Sequence, residues 1–330
     1  MSEAPIVVLG GSAYADIDVL ACVAAYKQYL HLQGFLAHAL ITGPWNQTIP
    51  SSIKQWQIDV EKEFLYKDKK CNFILVDFSD PRYMDSFVDL NAVVEVFDHH
   101  YGYENYWKEK LGDKAKIEKV GACATLIWEK FKAAKMEDQI TPVNANLLYI
   151  AIIANTLDFK SAVTQERDRL AARELLPYTR LPLDWKELYY AEIEAEFLQN
   201  SLKHILEDTK RILLFNTQFN FAQIELANAR DFLQKAINTS TMLGLRVDAE
   251  NRQENWIVNI VSIQENCSYL YCNSPLLLKR LKQISSAMDM EITDTGGNML
   301  VTSRLWLRKE LLKELIISHE NQDFQANSIV

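Results

Sequence analysis

The chain reads as an α/β protein: a parallel sheet with helices on both faces, followed by a smaller mixed α/β domain. Three observations point there. Apolar strand-like runs alternate with helix-like stretches from residue 5 to about 175. Acidic or glycine-rich segments follow these runs, where parallel strands end and ligands gather. Pro177 and Pro182 then close the alternation, and a second set of elements begins. The first strands fall at 5–9, 36–41, 72–76 and 92–97, with helical spacing around 19–33, 52–66 and 82–90. Helices at about 121–135, 142–156 and 165–176 follow, and Asn144 to Ile153 is apolar almost all round, which predicts deep burial. This first domain covers 1–182.

An amphipathic stretch from Trp185 to Leu206 carries Glu187, Glu192, Glu194, Glu196 and Lys203 on its wet side. The second domain, 190–330, has expected strands at 211–215, 219–224, 256–263, 268–272 and 299–302. Its expected helices are 230–244, 274–287 and 305–317, and the Asn- and Gln-rich tail after Glu320 is expected to be loosely held.

At 330 residues the chain can bury two cores, and 48% hydrophobic with 24% charged residues describes a soluble globular protein. A formal charge of −9 argues against binding a nucleic-acid polymer, which needs a basic face. It leaves room for a small polyanion, because cations can invert the field inside a cleft. Five scattered cysteines with no Cys-x-x-Cys pair read as reduced thiols of a cytoplasmic protein. Neither a signal-peptide pattern nor an uncharged apolar run of membrane-spanning length is present.

The chemistry gathers where strands end. Val96-Phe97 runs into Asp98-His99-His100, two of only six histidines in the chain. Imidazole with carboxylate suits divalent first-row ions. Strand 5–9 leads through Gly10-Gly11 to Asp16-Ile17-Asp18 at a helix start, and strand 72–76 ends in Asp77. One aspartate at a helix start is an N-cap; a second two residues on leaves a carboxylate unexplained. Asp16, Asp18, Asp77, Asp98 and His99 thus reach one sheet edge, where so many like charges need cations between them. Two divalent ions sharing a bridging carboxylate would meet that need.

These segments resemble the motifs of the DHH phosphoesterases in order and spacing. The resemblance continues in Gly121-Ala122-Cys123-Ala124-Thr125 and in the apolar run ending Asn155-Thr156-Leu157-Asp158-Phe159-Lys160. Asp208-Thr209-Lys210, Phe221 to Glu225 and Ser303-Arg304 are similar to the second domain of the family II inorganic pyrophosphatases and exopolyphosphatases. The resemblance implies an active site in the cleft between the domains and hydrolysis of pyrophosphate or short polyphosphate by metal-activated water. It implies manganese, or magnesium or cobalt, as two ions held by Asp16, Asp18, Asp77, His99 and Asn155, with Asp77 bridging. Asp98 would orient a histidine, His100 would face the substrate as donor or general acid, and Lys160, Lys210 and Arg304 would bind its phosphates. A small phosphate compound is the expected partner, with no membrane and with a homodimer as the assembly.

Two positions depart from the family pattern: Ser12 stands where a histidine or asparagine is expected, and Asn155 where a metal-binding aspartate is expected. Leu305 and Trp306 replace the lysines of the Ser-Arg-Lys-Lys signature. The alternatives are therefore a nucleotidase or phosphodiesterase for a small nucleotide, favoured by a less charged distal pocket, or a hydrolase fold turned regulatory protein.

Overall fold

The computed structural model describes residues 4–66, 70–236, 254–287, 292–296, 298–308 and 310–316. The chain divides into two compact units, Met1–Phe159 with Val163–Lys186 and Lys160–Ala162 with Glu187–Val330.

In unit 1, β1 (Ile6–Leu9), β2 (Ala37–Leu40), β3 (Asn72–Val76), β4 (Val93–Asp98) and β5 (Ala115–Ile117) form one sheet in the order β2-β1-β3-β4-β5. Every pair is parallel. The order reverses direction at β1, so the loops after β1 and β3 leave the sheet on opposite sides of a crevice. Both faces of the strands are apolar, as buried parallel strands require. Val7, Leu9, Phe73, Leu75 and Val96 pack on one face with Trp107 of α3 (Glu104–Leu111).

The other face meets α1 (Ile17–Leu32), which packs against α4 (Cys123–Ala133) and α5 (Pro142–Asn155). Most of α1 is buried from Ile17 to Lys27, and α5 is buried at Ala145–Leu148 and Ile150–Ala154, as its all-round apolar sequence predicts. Thr141 caps α5 before Pro142, and α6 (Glu166–Leu175) opens on a capping box of Gln165 and Asp168.

Two expected helices are not there. Within 52–66 only α2 (Ser51–Lys54) is helical, because Glu61 instead donates its N–H to Ala39 O at the edge of β2. Within 82–90 only short 3₁₀ turns form, at Pro81–Tyr83 and Leu90–Ala92, each capped by an aspartate that competes for the backbone.

Unit 2 is entered through α7 (Trp185–Gln199) and α8 (Ser201–Glu207). It holds β6 (Lys210–Leu214), β7 (Thr217–Leu226), α9 (Ala229–Ala236), β8 (Asn255–Ser262), β9 (Cys267–Cys272), α10 (Pro275–Ala287), β10 (Ile292–Gly296) and β11 (Met299–Thr302). The sheet runs β10-β11-β9-β8-β7-β6, with β7 and β8 parallel and the other pairs antiparallel. Its faces bury separate clusters, one around Phe197, Ile224 and Trp256, the other around Phe221, Leu270 and Trp306. The expected strands are all present. The expected helix at 230–244 lies outside the described residues beyond Ala236, as does the tail after Glu320.

Candidate metal centre

The carboxyl edge of the unit 1 sheet collects the expected residues, each fixed by local chemistry. Asp16 caps α1: its Oδ1 accepts the N–H groups of Asp18 and Val19, each at 3.0 Å. Asp18, the second residue of α1 and fully buried, accepts the first amides of α4, Cys123 N–H on Oδ2 and Ala124 N–H on Oδ1, both at 2.8 Å. A helix N-terminus with unused N–H donors is a favourable place for a carboxylate. This gives the Gly121–Thr125 segment a structural role, since it delivers those donors 105 residues away from Asp18.

Asp77 sits just past β3 with φ +59°, a left-handed conformation that Asp tolerates better than most residues. Its N–H is held by Phe97 O at 2.8 Å. At the end of β4, Asp98 Oδ1 accepts His99 N–H at 2.7 Å and His100 N–H at 3.1 Å, and lies 2.8 Å from His100 Nδ1. Burial alone would raise the Asp98 carboxyl, but the His100 hydrogen bond and charge outweigh it and hold it below the ordinary carboxylate range.

The decisive geometry is at His99. Its Nδ1 lies 3.2 Å from Val120 O, a carbonyl that can only accept, so Nδ1 carries the proton. In the neutral ring Nε2 is then a bare lone pair, and it faces Asp77 Oδ1 at 3.3 Å, both side chains being almost wholly buried. Two acceptors so placed repel unless a proton or a cation lies between them. Among the described residues, Asp77, His99 and His100 form the one group of three His, Cys, Asp or Glu side chains whose ligand atoms all lie within 4.8 Å of one another. One carboxylate oxygen and imidazole nitrogens form a donor set suited to a divalent first-row ion.

Burial, followed by the negative charge of Asp77, pushes the Asp18 carboxyl of the metal-free chain up to about 8. An unfolded chain loses that proton near pH 4, so between pH 4 and 8 the folded state carries the extra proton. Stability of chelator-treated protein should therefore fall as pH rises through this window. Added Mn²⁺ should flatten the slope, since a nearby cation favours the charged form. Thermal melts of the wild type and of Asp18→Asn check this; equal slopes would remove Asp18 as the source.

The departures from the family pattern are occupied locally. Ser12 donates both its N–H and its hydroxyl to Tyr83 O, at 2.9 and 2.8 Å. Asn155, the last residue of α5, turns its amide back to Ala151 O at 3.2 Å. Three consecutive left-handed residues follow, Leu157, Asp158 and Phe159, and Asp158 is paired with Lys186 at 2.6 Å.

In unit 2, Lys160 donates to Ile263 O at 2.8 Å, and Lys210 opens β6 as an exposed residue. Arg304 stacks on the Trp306 ring at 3.8 Å. Arg308 is half a structural bolt, bonded to Asp208 Oδ2 at 2.7 Å and Phe221 O at 3.0 Å. Sequence reasoning missed Asp168. Fully buried, it accepts Gly121 N–H at 2.8 Å and the Thr125 hydroxyl at 2.6 Å, and so holds the Gly121–Thr125 turn. The capping box at Gln165–Asp168 was the available signal.

No family model matches the chain. It is 24% identical over 266 residues to the manganese-dependent inorganic pyrophosphatase of Bacillus subtilis, covering 79% of this chain and 84% of the relative. A probable manganese-dependent inorganic pyrophosphatase of Lactobacillus delbrueckii subsp. bulgaricus is 26% identical over 230 residues, covering 68% of this chain and 72% of that one. Among solved structures, one from Methanococcus jannaschii, described as a family II inorganic pyrophosphatase by assignment, superposes with a TM-score of 0.63 at 20% identity, covering 94% of this chain and 98% of the other. That likeness speaks for the fold. Strand-end motifs in this order, on this sheet, are similar to those of the DHH phosphoesterases. Its five-stranded parallel sheet and second, mixed sheet match the two-domain α/β fold of the family II pyrophosphatases. Among the described residues no helix is long and apolar enough to cross a membrane.

Proposed function

We propose that this chain hydrolyses the phosphoanhydride bond of pyrophosphate or short polyphosphate, with Mn²⁺ as its cation. The observation that carries the reading is the apposition of Asp77 Oδ1 and His99 Nε2, two buried acceptors that a cation reconciles. When bound, the ion would lower the pKa of a water and draw phosphoryl oxygens to it. Asp77 and His99 hold the cation. Asp98 fixes the His100 ring, whose side chain is 58% exposed and free to donate a proton to a phosphoryl oxygen. Lys160, Lys210 and Arg304 are the proposed phosphate cations of unit 2, with guanidinium suited to paired oxygens.

The names of the curated relatives support manganese and pyrophosphate, and the sheet edge supports a metal centre. The test is phosphate release from pyrophosphate, tripolyphosphate and a dinucleotide, each with and without Mn²⁺. Manganese-dependent release from the first two, at rates well above the dinucleotide, is expected. Release from the dinucleotide alone would replace this reading with a phosphodiesterase.

A further inference from the structure

We propose that Trp306 is a positioning residue for substrate phosphate. Its ring clamps the Arg304 guanidinium so that one edge of that group, Nε with Nη2, stays open as a fork for two phosphoryl oxygens. The inference rests on the phosphate role proposed above for Arg304 and supplies what sets its geometry. Arg304 Cζ lies 3.8 Å from the centre of the Trp306 ring, a cation–π contact for which indole is the strongest partner. Nη1 is engaged, donating to Leu305 O at 3.2 Å and lying 3.6 Å from Glu310 Oε1. Among the described residues the Nε–Nη2 edge meets no acceptor, and the side chain is 42% exposed. That edge carries two parallel N–H bonds, the arrangement that pairs with two oxygens of one phosphate.

The platform is fixed from below. Leu305 and Trp306, which stand where the resembled signature has lysines, are both buried in an apolar core that would not hold an ammonium. The Trp306 ring belongs to the cluster of Phe221, Leu270 and Leu311. Its backbone N–H donates to Ser268 Oγ at 2.9 Å and its carbonyl accepts from Asn259 Nδ2 at 2.7 Å, both partners being fully buried. The Thr302 hydroxyl donates to Arg304 O at 2.7 Å, so the stretch from Arg304 to Trp306 is pinned at both ends. A lysine would supply a mobile point charge. An arginine held flat on a fixed ring supplies a planar fork with less freedom left to lose on binding.

The full chain with Mn²⁺ is assayed for kcat and KM on pyrophosphate, and titrated by calorimetry with imidodiphosphate, whose bridging nitrogen resists cleavage. Trp306→Met fills much of the site without a π face, so KM and the analogue's Kd should rise about tenfold with kcat within about twofold. Trp306→Phe restores the face and removes an indole N–H that has no hydrogen-bond partner among the described residues. Both constants should then return to within about threefold of wild type. In an Arg304→Ala background Trp306→Met should add less than about twofold, because the group it positions is gone. Arg304→Lys keeps the charge and loses the plane, so it should behave like Trp306→Met, and it decides the matter if Trp306→Met does not fold. Unchanged Kd in Trp306→Met or Arg304→Lys, Trp306→Phe no better than Trp306→Met, or additive losses in the double variant would each overturn the proposal. Failure of the functional reading looks different. A chain that binds the analogue with this pattern but releases no phosphate removes the hydrolase and keeps the positioning role, whereas a wild type with no affinity for the analogue removes both.

Discussion

Asp77→Asn is expected to reduce phosphate release by about 10³-fold or more, since the several kcal/mol a metal centre supplies at the transition state go with its carboxylate. Asparagine is the informative replacement. Asp77 has φ +59°, which Asn adopts readily while Ala adds roughly 1–2 kcal/mol of strain. A lost activity in Asp77→Asn then reports on charge and not on a disturbed turn. Mn²⁺ binding should vanish with it. The melting temperature of the metal-free variant should hold or rise, because the Asp77 charge is one of the forces raising the neighbouring Asp18 carboxyl. Phosphate release, a manganese titration and a thermal melt settle the three points. A variant that keeps most of its turnover removes Asp77 from the chemistry.

Asp168→Ala is expected to be the most damaging change to stability away from the ion. The carboxylate is fully buried and serves three donors, Gly121 N–H at 2.8 Å, Gln165 N–H at 2.7 Å and the Thr125 hydroxyl at 2.6 Å. Truncation leaves all three without an acceptor, at about 1–3 kcal/mol each when no water replaces it, so a total of at least about 3 kcal/mol is expected. Nothing larger can slide in from the Gly121 side, where even a methyl would stand 2.6 Å from Thr156 Cγ2. Urea unfolding of the chelated protein reads this directly. Activity should fall as well, because the same turn presents the amides that hold Asp18. A midpoint within experimental error of wild type would show that Gly121–Thr125 is held by other contacts.

How much of this could be read from the sequence depends on how local the determinant was. Parallel strands announced themselves because a strand buried on both faces is apolar at every position, as Ile6–Leu9 and Phe73–Val76 are. β5 and β10 did not, being three and five residues long at sheet edges, the latter carrying Asp294 and Gly296. Segments 52–66 and 82–90 misled because their apolar spacing serves a covering of irregular chain, anchored by Phe64, Tyr66, Phe87 and Val88. The strand-end acids were visible as residue types. Their division of labour was not, because it depends on which backbone amide or carbonyl each side chain meets. Asp18 meeting α4, and His99 meeting Val120, are facts of tertiary packing. Asp168 is the plainest case: an acid in a helix's first turn looks like any other until the turn it holds is in view.

The Asp18 anchorage has a kinetic side. Its hydrogen bonds join stretches of chain 105 residues apart, so the long intervening loop must close before the carboxylate meets its amides. Asp18 exists early in synthesis, and its amide donors arrive only when α4 docks. The anchoring of Asp18 thus belongs to the later stages of folding, and a polypeptide stopped short of residue 123 would carry that acid without the amides that hold it.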